Sequence, residues 1–287
     1  MKNNTLTQQE LDQFSEESFL GPYDLIKKEE IPNLLKDIKR KPLHIFDWDK
    51  SAFMIMPELY NIATTPLLLD KVKAILGEDV LLWCAQVIVK KPKLKHNWHV
   101  DVETRYSEGI TVWIPLDNAF KSISVMKGSH NFNISPQELD KAGEADFFSD
   151  EDILREAKKL NPKAEIVVPE VEPGQFVIWN GPNWHAAINN TDKIRTVLIF
   201  QFSKPNKQIK MPANFELPDT KWKKIPVPTL LVSGKDDYKL NYILKKEQLG
   251  TFKLLLKYRI KALYSFYHTK NLLRPLYRKI RPIRNKI

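Results

Sequence analysis

The sequence has one cysteine, nine glycines and no uncharged apolar run of the ~18 residues that a membrane-spanning helix needs. A single thiol excludes an internal disulfide framework. Cys84 lies inside the apolar run 81–89 (LLWCAQVIV) and reads as a small core residue. With no long apolar run, no spanning helix is expected. The N-terminal MKNNTLTQQELDQF carries no apolar stretch of the kind a secretory signal needs, so a reducing cytoplasm is the expected compartment. Nine glycines against 19 prolines point to stiff turns and edge strands rather than flexible linkers.

What is present is a chain of 287 residues, 43% apolar, long enough to bury a substantial core. Its formal charge is +10, but that charge is not spread evenly. Residues 245–287 hold 13 of the 45 basic residues and only one of the 35 acidic ones, Glu247. The tail is therefore +12 and the body, 1–244, is −2. We expect two parts with different tasks, a body of 1–244 and a basic tail of 245–287.

Thr7-Gln8-Gln9-Glu10 has capping-box spacing, so a first helix should start there. Leu34 to about Lys41 and Pro66–Leu76 also read as helices. From Asp79 onward the pattern changes to strands: Asp79–Lys91, Ile110–Leu116, Ser122–Met126, Glu165–Val171, Gln175–Trp179, Trp184–Asn189 and Arg195–Phe202. Short strands with frequent turn signals predict a mainly β sandwich or barrel with helical flanks. Residues 131–164 interrupt the strands. Ser149 or Asp150 can cap a helix through Lys159 there. The segment is either a lid over the barrel mouth or a solvated excursion.

Trp98-His99-Val100-Asp101 is the first feature that carries chemistry. Residues two apart on a strand share a face, so His99 and Asp101 can converge on one ion. His96, three residues from His99, is expected on the other face and is excluded as a ligand on that ground. His185, after the turn Asn180-Gly181-Pro182, is the best source of a second imidazole. Two histidines and one carboxylate fill one face of an octahedron, the arrangement of non-haem Fe(II) oxygenases. Were 189–193 a hairpin turn, Arg195 would lie opposite residue 187, roughly 7–8 Å diagonally from His185. A guanidinium there suits a short dicarboxylate bridging to the metal. His-x-Asp alone is a weak signal, and a lone strand histidine is more often structural.

Further pieces carry a resemblance. They are 6–22 with Phe19-Leu20-Gly21-Pro22, Trp98–Asp101, Thr111–Asp117, Lys127-Gly128-Ser129-His130, Pro173–Phe176, and His185 with Arg195. In this order, over about residues 6–203, the chain resembles the phytanoyl-CoA dioxygenase family of Fe(II)/2-oxoglutarate oxygenases. The resemblance implies a double-stranded β-helix, a cupin-like jelly-roll barrel, with Fe(II) on His99, Asp101 and His185. Arg195 would bind the distal carboxylate of 2-oxoglutarate, and O₂ would be the cosubstrate. Trp113 would be the pocket tryptophan of the family or else a sandwich-core aromatic. His130 would approach the cosubstrate or serve only its turn. The segment departs from the family at Ala187, where a hydroxyl residue is common, and at Lys127, where many members carry proline. Asp101 stands where related halogenases have Ala or Gly, which favours hydroxylation.

In the tail, Phe252, Leu255, Leu256, Ile260, Leu263, Phe266 and Tyr267 recur near a helical period, with Lys253, Lys257 and Lys261 on another face. This basic amphipathic helix fits an anionic membrane surface at the inner face of the membrane, or packing against the barrel or a dimer partner. No nucleic-acid-binding motif is present, so no nucleic-acid partner is expected. The expected activity is hydroxylation of a small organic substrate, such as a lipid-linked sugar or envelope precursor. The alternatives are a soluble specialised metabolite or amino-acid-like substrate, and a non-catalytic jelly roll that keeps metal for binding or structure.

Overall fold

Four helices and a short strand come before the barrel in the computed structural model, which describes residues 4–41, 50–214, 217, 219–224 and 226–251. Helix α1 (Gln8–Glu17) starts on the anticipated capping box: Thr7 accepts from the Glu10 N–H, and Glu10 reaches back to Thr7 N at 2.7 Å. It leads into strand β1 (Phe19–Asp24), which the sequence reading left out. Helices α2 (Ile31–Arg40), α3 (Pro57–Ala63) and α4 (Pro66–Leu76) follow, each with a proline in its first turn, where a missing N–H costs nothing.

The barrel comprises β2 (Val80–Lys90), β3 (Lys95–His99), β4 (Ile110–Asp117), β5 (Ile123–Met126), β6 (Ile166–Val167), β7 (Gln175–Asn180), β8 (His185–Ile188) and β9 (Arg195–Ser203). Strands β10 (Pro228–Ser233) and β11 (Tyr242–Ile243) extend one edge. Helix α5 (Val102–Ser107) separates β3 from β4, and α6 (Pro136–Ala142) and α7 (Asp150–Leu160) lie between β5 and β6. The larger sheet has the order β1-β7-β4-β9-β2-β10-β11 and the smaller β3-β8-β5-β6. Two facing, mainly antiparallel sheets make this a jelly-roll, double-stranded β-helix fold. No described helix is long and apolar enough to cross a membrane.

Strand alternation explains why β4 is buried along almost its whole length. Ile110, Val112, Ile114 and Leu116 face the flanking helices, together with Leu198, Phe200 and Phe202 of β9. Trp113 faces inward and packs with Ile123, Val125, Val177, Trp179 and Val197 between the sheets. The sheet is thus covered on both sides, and its strands read as continuous apolar runs. Cys84 is buried with Trp83, Ile209, Met211 and Val227.

Three expectations need correction. β8 and β9 do not form a hairpin. β8 pairs with β3 and β5 in the small sheet, and β9 pairs with β2 and β4 in the large one. The intervening turn therefore crosses between sheets, because each strand buries more by joining the sheet that covers it. The strand expected over Glu165–Val171 is reduced to Ile166–Val167. Residues 131–164 are no solvated excursion. Leu139, Ala145, Ile153, Ala157 and Ala164 bury against Trp98 and Trp184, and Trp98 Nε1 donates to Asp150 at 2.8 Å. Ser149 caps α7 as anticipated. The amphipathic helix expected from Phe252 onward lies outside the described residues.

Candidate metal centre

His99 ends β3, Asp101 precedes α5 and His185 opens β8. Nothing nearby in sequence joins the first two to the third; the antiparallel pairing of β3 with β8 does, setting His99 directly across from His185. One ligand atom from each of the three residues lies within 4.8 Å of the others. The two imidazole rings are 4.2 Å apart at their centroids, and His99 Nε2 is 3.7 Å from Asp101 Oδ1.

Both imidazoles are oriented in the same way. His99 Nδ1 is 2.7 Å from the carbonyl of Asn97, and His185 Nδ1 is 3.0 Å from the carbonyl of Asn183, each two residues upstream. A carbonyl only accepts, so Nδ1 carries the proton in each ring and Nε2 is left as a lone-pair donor. Burial pulls His185 down to about 4, which keeps its ring neutral. Asp101 sits at the start of α5 yet makes no capping bond, so its carboxylate is committed elsewhere. Burial works against its charge, but the neighbouring Lys50 ammonium pulls the other way, and the carboxyl is held at about 2. A neutral His185 ring and an ionised Asp101 carboxylate are the protonation states a divalent metal requires of those two ligands.

The backbone around His185 is held from two sides. Trp184 N donates to Ser129 Oγ at 2.8 Å, and Asn183 Nδ2 donates to the Ser18 carbonyl. Gly181, in the turn before His185, lies so close to α5 that a Cβ there would sit 2.5 Å from the Thr104 carbonyl oxygen. The loop carrying one ligand thus rests on the helix that follows another.

The triad lies in the wall of a cavity of about 640 Å³ between the sheets, which Trp113 and Arg195 also line. Arg195 is 2% exposed. Its Nη1 donates to the carbonyls of Ser122 at 3.1 Å and Ile188 at 2.9 Å, and its Nε is buried with no hydrogen-bond partner. No carboxylate pairs with it among the described residues, and burial pulls the guanidinium down to about 10. Ile188 is three residues along β8 from His185, roughly 10 Å at the rise of a strand. The hairpin register was wrong, but Arg195 reaches the same interior from the opposite sheet. His130 is not brought to the cavity. It lies in the turn Ser129–Asn131 beside Ser15.

His96 departs from strand alternation. Pairing runs His96 with Ala187 and His99 with His185, so three steps on β3 match two on β8. The bulge turns His96 inward, where it lines the cavity and its ring lies 4.2 Å from that of His99. It is not part of the three-residue cluster. Sequence reasoning also missed Gln201, whose Nε2 donates to Asp101 Oδ2 at 2.7 Å, and Lys50, 3.1 Å from Glu103. Alternation along β9 from Arg195 puts Gln201 on the inward face and could have found it. No local signal marks Lys50.

Similarity to known proteins agrees with this geometry. The model of the phytanoyl-CoA dioxygenase (PhyH) family matches residues 23–197. No curated protein matches the chain. Among solved structures, CytC3 with Fe(II) and alpha-ketoglutarate superposes with a TM-score of 0.56 at 18% identity, covering 84% of this chain and 94% of that one. A non-heme monooxygenase, the ThoJ–Ni complex, gives 0.52 at 17% identity over 88% and 98% of the two chains. EctD from S. alaskensis gives 0.55 at 16% identity over 76% and 84%. At these identities the likeness establishes the fold, and the family match covers well over half of the chain. The chain belongs to the phytanoyl-CoA dioxygenase family and is an oxygenase of that family's jelly-roll fold.

Proposed function

We propose that the protein is an Fe(II)- and 2-oxoglutarate-dependent dioxygenase that hydroxylates a small organic substrate, with iron on His99, Asp101 and His185. The observation that carries this reading is the shared orientation of the two histidines, each with Nδ1 at the carbonyl two residues upstream. That orientation leaves each Nε2 to the three-residue cluster with Asp101, at the wall of a cavity that also holds a guanidinium with no carboxylate partner among the described residues. That donor set is a facial triad, which leaves three coordination positions for other ligands.

Bound Fe(II), with 2-oxoglutarate and O₂, supplies the oxidising chemistry and releases succinate and CO₂. The chain's own residues bind, orient and shield. Asn97 and Asn183 carbonyls fix the rings of His99 and His185. Arg195, with its unsatisfied Nε, is the partner for the distal carboxylate of 2-oxoglutarate. Trp113, Ile123 and Val197 form an apolar wall that excludes water from that end. Gln137 and Phe147, from the 131–164 segment, close another side of the cavity, which supports a covering role for that segment. Asp101 occupies the position that chloride would need, which favours hydroxylation over halogenation. The +12 tail favours a substrate presented at an anionic membrane, such as a lipid-linked sugar or envelope precursor.

Turnover without substrate tests this reading. The protein is incubated with Fe(II), 2-oxoglutarate and O₂, and succinate is measured. Succinate above the level of a His185→Ala control supports it. Equal succinate from the two refutes it and leaves the metal-keeping binding protein as the better account.

A further inference from the structure

One carboxylate oxygen of Asp101 faces the histidines, and the other is already engaged. Oδ1 lies toward His99, whereas Oδ2 accepts from Gln201 Nε2 at 2.7 Å and from Thr111 Oγ1 at 3.4 Å. A carboxylate accepts only, so the Gln201 amide must turn its NH₂ to Asp101 and its carbonyl away. Lys50 takes that carbonyl, with Nζ 3.3 Å from Gln201 Oε1. Lys50 is itself held by Glu103 at 3.1 Å, and Glu103 and Gln201 are both almost fully buried. The segment carrying Lys50 is pinned to β2: Ala85 N donates to the Lys50 carbonyl at 2.6 Å, and Ser51 bridges to Ala85. Gln201 of β9 and Thr111 of β4 thus meet at one oxygen atom, and Lys50 reaches it through the Gln201 amide.

We propose that Lys50 and Gln201 form a positioning relay that holds Asp101 to coordination through one oxygen, Oδ1. This rests on the ferrous reading above. Gln201 occupies Oδ2, and Lys50 fixes which end of the Gln201 amide does so. Without the relay the carboxylate is free to rotate and bind through both oxygens, taking one of the three positions that the cosubstrates need. The relay therefore sets both the affinity of the site for metal and the number of its open positions. Outer-shell partners of metal ligands typically contribute about 10–100-fold to affinity.

The test is a mutant cycle read by Co(II) binding to the full-length apo-protein, followed by visible absorption, whose intensity reports coordination geometry. Gln201→Met keeps volume and leaves the Lys50–Glu103 pair intact. Lys50→Met is made together with Glu103→Gln, so that no buried charge is left unpaired and folding is preserved. The relay predicts a loss of roughly 10–100-fold in Co(II) affinity for Gln201→Met, with a changed absorption envelope. It also predicts that the Lys50→Met/Glu103→Gln change adds less than about 3-fold when Gln201 is already Met, since residues acting through one another are not additive. Lys50→Arg should restore the wild-type envelope. Unchanged affinity and envelope in Gln201→Met, or fully multiplicative losses, overturn the relay. Failure of the wild type to bind Co(II), or equal binding by His99→Ala, overturns the metal reading itself and is told apart by those controls.

Discussion

Replacing Arg195 with Met removes the guanidinium while keeping an unbranched side chain of similar reach. Without ligand the change in stability should be small. Two hydrogen bonds to the carbonyls of Ser122 and Ile188 are lost, but so is a buried charge that has no carboxylate partner among the described residues. The two bonds contribute about 1.5–3 kcal/mol each, and relief of the desolvation penalty of the buried ion, several kcal/mol, offsets them. With 2-oxoglutarate the two proteins should part. Two charge-assisted hydrogen bonds to a carboxylate contribute ~3 kcal/mol, or roughly 100-fold in Kd. At a 2-oxoglutarate concentration of 100 times the wild-type Kd, binding stabilises the wild type by about 2.7 kcal/mol. The same concentration then equals the Kd of Arg195→Met and stabilises it by about 0.4 kcal/mol. For a domain of this size each kcal/mol moves Tm by about 2–4 °C. Anaerobic thermal unfolding with saturating Fe(II) should therefore show a ligand shift of roughly 5–10 °C in the wild type and about 1 °C in the variant. Equal shifts would refute the assignment of Arg195 to the distal carboxylate.

Three further outcomes follow from particular contacts. Gly181→Ala forces a methyl against the Thr104 carbonyl and should cost roughly 1–3 kcal/mol, seen as a lowered urea midpoint; an unchanged midpoint would show that α5 and the ligand turn are not in firm contact. Trp184→Phe loses the Nε1 bond to the Ile134 carbonyl and part of the cover over 131–164, so protease cleavage within 131–164 should be faster than in the wild type. Changing Lys253, Lys257 and Lys261 to Gln in the full chain should weaken co-sedimentation with anionic vesicles by on the order of 100-fold, at about 1 kcal/mol per lysine near the surface. Equal binding by the wild type and this variant would remove the membrane from the account.

Much of the frame was legible because its signals are local. The Thr7–Glu10 capping box, the Pro66–Leu76 helix between a proline and a glycine, the Ser149 cap and the apolar strands β2, β4, β7 and β9 are written in neighbouring residues. His99 and Asp101 were also readable from their spacing, and His185 from its place after a turn. What was not legible depends on partners far away in the chain. The bulge that turns His96 inward exists only in the pairing of β3 with β8. Arg195 was placed in the right interior for the wrong reason, since a five-residue gap suggests a hairpin whereas the fold sends β9 to the other sheet. Lys50 reaches Gln201 across 151 positions, and no periodicity encodes that meeting.

The central claim is that one ion sits on His99, Asp101 and His185 and receives 2-oxoglutarate beside Arg195. Anaerobic titration of the ferrous protein with 2-oxoglutarate, followed by visible charge-transfer absorption, tests it most directly. The account predicts a band that saturates at one equivalent per chain, vanishes in His185→Ala and needs far more 2-oxoglutarate in Arg195→Met. No band in the wild type, or an undiminished band in His185→Ala, would contradict it.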